Sequence, residues 1–279
     1  MAVQIITDST ADLLSPEKSR VLTVPLTVHF GEEEYIDGVT IDHKLFYEKL
    51  VESDVLPTTS QATPIAFEDV FRQVTDRGVS AVVITLSQKL SGTWQSARIA
   101  AEEFPNIYIV DSGTAAIGAG ILTELALRLV DAGMDAAAIA ARLEEEKGNI
   151  RVIAMLDTLE YLKRGGRISK SVALAGTLLN IKPVVSIEAG EIKVLGKARG
   201  SRQAGNLLAQ EIEKCGGVDF SRPLLLGYTG LSDALLLKYM EDSRWLWEDG
   251  TEALRYAPIG SVIGTHAGPG AVAVAFFRK

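Results

Sequence analysis

The stretch AVVITLSQKLSGTWQSA, residues 81–97, decides how this chain folds. Ala81–Thr85 is a short, almost wholly apolar run of the kind found in strands buried on both faces. Ser91-Gly92-Thr93 then forms a polar turn that opens a helical pattern running to about Phe104. A turn of this kind at a strand's C-terminal end presents hydroxyls and backbone N–H groups where open α/β sheets take their ligands. Ser91 is equally suited to capping the helix, and the residues alone leave both roles open. The stretch is not a phosphate-binding P-loop, because its lysine precedes the glycine and the GxxxxGK[ST] spacing is absent.

Outward from this unit, Val3–Thr7 (VQIIT), Ile107–Val110 (IYIV) and Val152–Met155 (VIAM) read as strands of the same type. Helical patterns lie between them at 64–77, 115–132 and 135–147. Short apolar strands separated by helices predict a parallel sheet covered on both faces, a three-layer α/β/α domain over residues 1–157. An insertion at about 21–56 breaks that rhythm: Val21–Phe30 and Glu34–Val39 read as a β-ribbon, and Asp42 caps a helix through Leu50. Beyond 157 the texture changes. Helices are expected at 158–165, 169–179, 202–214 and 233–242, and a hairpin at 183–187 and 192–197. Further strands are expected at 223–228, near 252–256 and at 270–277. This predicts a C-terminal α/β domain, residues 158–279, with a mixed sheet and helices on one side.

Composition limits the function classes. The 279 residues are 47% hydrophobic and 23% charged, as expected of a globular protein with a large core. A formal net charge of −8 argues against nucleic acid as a partner. The single cysteine, Cys215, cannot form an internal disulfide or build a cysteine zinc cluster. No HExxH, metal-spaced carboxylate cluster, GxGxxG or Gly-x-Ser-x-Gly elbow occurs, so neither metal nor cofactor is expected. The N-terminus lacks the pattern of a signal peptide, and no apolar run approaches the roughly 18 residues of a membrane span. The expectation is a cytoplasmic protein.

Four further stretches carry polar groups in unusual concentration. Pro57–Pro64, PTTSQATP, gathers four hydroxyls and an amide between two prolines, with Thr63-Pro64 suited to start a helix. Asp8-Ser9-Thr10-Ala11-Asp12 ends the first strand at the same sheet edge as the Ser91 turn; local Asx and Ser/Thr turns would use the same residues. Gly264-Thr-His266-Ala-Gly-Pro-Gly270 surrounds one histidine with glycines, a tightly turned backbone that favours a site role for His266. His29 and His43 suit structural or solvated positions instead. Lys163-Arg164-Gly165-Gly166-Arg167 is either a solvated helix end or an anion- or partner-facing patch.

Together, DSTAD, TTSQATP, SQKLSGTWQSA, YLKRGGRIS and GTHAGPGAVAVAF resemble, in order and approximate spacing, the DegV family. Ala62 departs from the proline that family members often carry after the Ser-Gln pair. The resemblance implies a bacterial fatty-acid-binding protein, in some cases the acyl-carrying subunit of a fatty acid kinase. It further implies a carrier that is not itself an enzyme, whose partner kinase phosphorylates the carboxylate and whose acyl group exchanges during transient membrane contact. By the same resemblance, Thr59, Ser91 and His266 hold the carboxylate of a long-chain fatty acid such as palmitate, stearate or oleate. Ser60, Gln61, Gly92, Thr93, Asp8 and Ser9 lie near the headgroup, and Arg167 and Arg202 face the kinase.

The physical expectation is a headgroup held by uncharged donors, since an unpaired buried carboxylate is expensive and a permanent counter-charge would blunt its attack on phosphorus. Two alternatives stand beside it. One is an acyl-ester hydrolase with Ser91 as nucleophile and His266 as base. The other is small keto-substrate binding through a histidine, as in dihydroxyacetone kinase subunits.

Overall fold

The computed structural model describes residues 2–169, 180–247 and 254–279. Its strands are β1 (Val3–Asp8), β2 (Val21–Val24), β3 (Thr27–Phe30), β4 (Glu33–Ile36), β5 (Thr58–Ser60), β6 (Ser80–Thr85), β7 (Ile107–Asp111), β8 (Ile150–Met155), β9 (Ile181–Glu188), β10 (Glu191–Arg199), β11 (Leu224–Tyr228), β12 (Tyr256–Pro258) and β13 (Val272–Phe277). Its helices are α1 (His43–Glu52), α2 (Pro64–Thr75), α3 (Thr93–Ala100), α4 (Ile117–Asp131), α5 (Ala136–Glu146), α6 (Glu160–Arg164), α7 (Gly200–Lys214), α8 (Ala234–Asp242) and α9 (Ser261–Ala267). The helix expected at 169–179 lies outside the described residues, apart from Ser169.

Three sheets organise these elements, in the orders β2-β1-β6-β7, β10-β9-β8-β13-β11-β12 and β4-β3-β5. The first is parallel throughout. One face of it packs α2 and α3 through Ala81 and Val83, and the other packs α4 and α5 through Val82 and Ile84. The α/β fold with a parallel and a mixed sheet is thus as the sequence implies.

Three placements differ from the sequence reading. Val21–Phe30 is not one ribbon arm. Pro25, which has no N–H to give a ladder, ends β2, and β2 becomes the edge strand of the parallel sheet, pairing Ile5 with Val21 through Asp8 with Val24. Only β3 and β4 form the ribbon, and β5 joins β3 as its third strand. Second, Val152–Met155 is not a strand of the parallel sheet: β8 lies in the six-stranded sheet, antiparallel to both β9 and β13. An apolar strand buried on both faces carries no signal of direction. Third, the six-stranded sheet is covered on both faces, by α7 and α8 on one and by α4 on part of the other.

Helix α4 accounts for the third difference. It is buried from Ile117 through Leu127 except at Leu125, because it is sandwiched between the two large sheets. The hairpin between β9 and β10 is as expected, with positive φ at both Ala189 and Gly190, the conformation of a two-residue turn that matches strand twist.

Candidate functional site

Thr59 sits at the middle of β5, directly opposite Val28 of β3, half-buried between the exposed Thr58 and Ser60. Pro57 precedes the strand and Thr63 caps α2, accepting from the Ala66 N–H at 3.3 Å. The PTTSQATP stretch is therefore an edge strand followed by a helix start. Its Gln61 side chain reaches across to α3, donating to Ser96 Oγ at 2.9 Å. A side chain at Gly92 would put its Cβ 2.0 Å from Gln61 Oε1 and push the Gln61 amide aside.

Ser91 precedes α3. Its Oγ accepts from the Thr93 N–H at 3.3 Å and shares a hydrogen bond with Thr93 Oγ1 at 2.9 Å. The two roles left open by the sequence are combined in one residue, because Ser91 binds the helix's first turn and also lines the main cavity.

The glycine-rich stretch around His266 is not a loop. It contains α9, whose N-terminus starts at Ser261 and whose last turn holds His266, ended by Gly268 at φ 72°. Gly264 allows the helix to lie against Phe46 and Tyr47 of α1; a Cβ there would fall 2.5 Å from Tyr47 Oη. Close approach to α1, not turning, explains this glycine.

His266 Nε2 and Thr59 Oγ1 are 2.9 Å apart. Nδ1 is buried without a partner and packs on Gly165, where a Cβ would sit 2.1 Å away. Burying an orphan N–H costs more than burying an orphan lone pair, so the proton belongs on Nε2, which donates to Thr59 Oγ1. The Thr59 hydroxyl hydrogen is then free for another acceptor. Burial, and secondarily the charge of Arg167, lowers the His266 pKa to about 4, which keeps the imidazole neutral near pH 7.

These groups stand at a cavity of about 380 Å³. Thr59, Ser60, Gln61, Ser91, Gly92 and His266 all line it. Thr93 is buried behind Ser91. Most of the remaining wall is apolar, and its space comes from small side chains: Ala154 and Ala273 face each other across the β8–β13 ladder, with Ala271, Ala115 and Ala116 nearby. Helix α4 itself belongs to the core, and the cavity touches only Ala115 and Ala116, the two residues before it.

Asp8 and Ser9 do not line the cavity. Asp8 is buried, accepting from the Thr10 N–H at 2.9 Å, Thr10 Oγ1 at 2.6 Å and the Leu86 N–H at 2.7 Å. Burial raises its pKa to about 6 despite these bonds. Ser9 Oγ accepts from the Leu26 N–H at 3.1 Å.

The two arginines part company. Arg167 turns into the cavity wall, donating from Nε to Leu90 O at 3.0 Å and from Nη1 to Gly165 O at 2.6 Å. The polar part of the cavity wall is therefore not free of permanent charge, contrary to the expectation from sequence. Its neighbours Lys163 and Arg164 instead pair with Glu160 on α6. Arg202 is exposed at the start of α7, beside a separate cavity of about 370 Å³ shared with Asn206 and Lys238.

His29 binds Ser60 Oγ and His43 the carbonyls of Ile259 and Gly230; neither histidine lines the cavity. Ser91 and His266 make no hydrogen bond to each other.

The sequence pattern of the family described as "Uncharacterised protein, DegV family" matches residues 2–279. A DegV domain-containing protein of Caldanaerobacter subterraneus is 34% identical, with 99% of each chain covered. Among solved structures, the fatty-acid-binding DegV family protein from Thermus thermophilus is 31% identical, with a TM-score of 0.89 and full coverage of both chains. A stearic acid-binding protein from Eubacterium ventriosum is 27% identical, with a TM-score of 0.88, covering 99% of this chain and 98% of its own.

Proposed function

The chain belongs to the DegV family, and from that premise we propose that it carries one long-chain fatty acid inside the 380 Å³ cavity. The tail lies along the alanine-lined strands. The carboxyl group accepts from the Thr59 and Ser91 hydroxyls, next to neutral His266. The observation that carries this reading is the Thr59–His266 hydrogen bond at one end of a largely apolar cavity. Two relatives of similar structure are described as binding fatty acids.

Tail and headgroup have different physical tasks. At about 0.8 kcal/mol per buried methylene, the tail contributes most of the affinity, of which part is spent on ordering the ligand. The headgroup contacts fix which end of the ligand enters and where its oxygen stops. Arg167, held by two carbonyls, lends positive potential to that end without becoming a bidentate clamp. An apolar wall fits this ligand better than a small keto substrate. A hydrolase would need Ser91 activated by His266, whereas Ser91 is bonded to Thr93 and His266 to Thr59.

The proposal extends to a partner. A separate fatty acid kinase phosphorylates the held carboxylate, and Arg202, exposed and remote from the main cavity, faces it. Purified protein denatured and analysed by mass spectrometry is expected to release a long-chain fatty acid; release of no lipid and no uptake of palmitate would refute the carrier. Arg202→Glu is expected to abolish acyl phosphate formation by kinase and ATP with palmitate affinity unchanged.

A further inference from the structure

The DSTAD loop reaches all three elements that carry the headgroup residues, yet its side chains do not line the cavity. Asp8 Oδ2 accepts from the N–H of Leu86, the first residue after β6 on the path to Ser91. Ser9 accepts from the N–H of Leu26 at 3.1 Å, and its own N–H donates to Val24 O at 3.1 Å. That clasp stands where the chain leaves the parallel sheet for β3, the strand opposite Thr59. Asp12 Oδ1 accepts from the N–H of Gly260 at 2.9 Å, the residue that caps α9, and His266 lies six residues further on. Asp37, just beyond β4, accepts from Ser261 Oγ on the same helix, and its N–H donates to Leu26 O at 3.0 Å.

The loop is held from behind. A Cβ on Gly120 of α4 would fall 2.3 Å from the Asp12 carbonyl oxygen, so the buried helix lies directly on its backbone. The arrangement is expensive. Asp8 and Asp12 are 1% and 8% exposed, and Asp12 Oδ2 has no hydrogen-bond partner. An ordinary turn would be closed by bonds within the loop itself. Buried acceptors spent instead on the N–H groups of Leu86 and Gly260, far away in sequence, mark a place where alignment is favoured over stability.

We infer that Asp8, Ser9 and Asp12 are positioning residues that set Ser91, Thr59 and His266 in one geometry, so that the DSTAD loop fixes the headgroup site without touching ligand. This rests on the reading of Thr59, Ser91 and His266 as the carboxyl site. Asp12 acts through α9 on His266, Asp8 through Leu86 on Ser91, and Ser9 through Leu26 on Thr59.

The test is a double-mutant cycle on palmitate affinity. Asp12→Ala is expected to weaken binding about tenfold in the natural chain and less than about twofold in a His266→Ala background. Asp8→Ala is expected to behave the same way with Ser91→Ala. Equal losses in both backgrounds, or no loss in either, would overturn the inference. Asp12→Asn keeps an acceptor for the Gly260 N–H and nearly the same shape, so it covers the case in which Asp12→Ala does not fold. It is expected to bind within about twofold of the natural chain, and a tenfold loss would count against the inference. The His266 imidazole NMR signals provide a readout that needs no ligand. They are expected to move in Asp12→Ala and stay in place in Asp12→Asn; unmoved signals in Asp12→Ala would overturn the inference. If the natural chain takes up no palmitate, the carboxyl-site reading fails, and the imidazole signals still decide whether the loop positions His266.

Discussion

The two ends of the main cavity are built by different means. The polar end gathers single residues from β5, the turn before α3, and α9, which are distant in sequence and joined by individual hydrogen bonds. The apolar end is made by strand register, with alanines meeting across one ladder and no specific bond needed. Displacement of one backbone element would misplace the polar end, whereas only added volume would spoil the apolar end. Geometry therefore depends on the first and affinity on the second.

Protonation breaks the comparison at the polar end. His266 has a folded-state pKa of about 4 against 6.5 when unfolded. Above pH 6.5 both states are neutral and the fold has its full stability. As pH falls from 6.5 towards 4, the unfolded imidazole takes up a proton that the folded one refuses, and stability is lost, up to about 3 kcal/mol. Denaturant melts across that window are expected to show this loss in the natural chain relative to His266→Gln. Parallel pH profiles would contradict the neutral, desolvated imidazole.

Volume tests the apolar end. Ala273→Leu puts about three methylene equivalents where the tail would lie, which costs about 2.4 kcal/mol, or roughly fiftyfold in palmitate affinity. Calorimetric titration should show this loss falling more heavily on longer chains. A uniform loss across chain lengths would place the tail elsewhere. Removing one hydroxyl at the polar end is a smaller change. Thr59→Val keeps the shape and is expected to weaken binding by about 1 kcal/mol, with a similar effect at every chain length. The contrast between a length-dependent and a length-independent loss is the sharpest form of the comparison.

An effect of similar size is expected from the backbone of the cavity wall. Ala116 lines the cavity with φ 54°, a conformation costly for a residue with a Cβ. Ala116→Gly should therefore stabilise the fold by about 1 kcal/mol in a thermal melt, the reverse of the usual direction for this exchange. A lower melting temperature would contradict it.

Local chemistry explains what the sequence revealed. The apolar run AVVIT, leading through a polar turn into a helical pattern, and the similar run VQIIT announced the parallel sheet. Pro25 carried the signal that divides β2 from β3, but an alternating pattern on both sides of it masked the break. β8 could not be assigned to a sheet, because Val152, Ala154 and Met155 suit any doubly covered strand. α9 was hidden by Gly264, whose role is contact with Tyr47 across the fold. The hydroxyl-rich stretch around Thr59, the Ser91 turn and the glycine-flanked His266 were legible and do line one cavity, whereas Thr59 was singled out from its neighbours by the family resemblance. Arg167's inward turn was not, since it depends on the carbonyls of Leu90 and Gly165. Nor was the reach of Asp12 to Gly260, 248 residues away.

The most direct test of the carrier reading is the lipid content of the purified, denatured protein, measured by mass spectrometry beside the Ala273→Leu variant. The natural chain is expected to yield close to one long-chain fatty acid per molecule and the variant much less. No lipid from either, with palmitate uptake equally absent, would contradict the account.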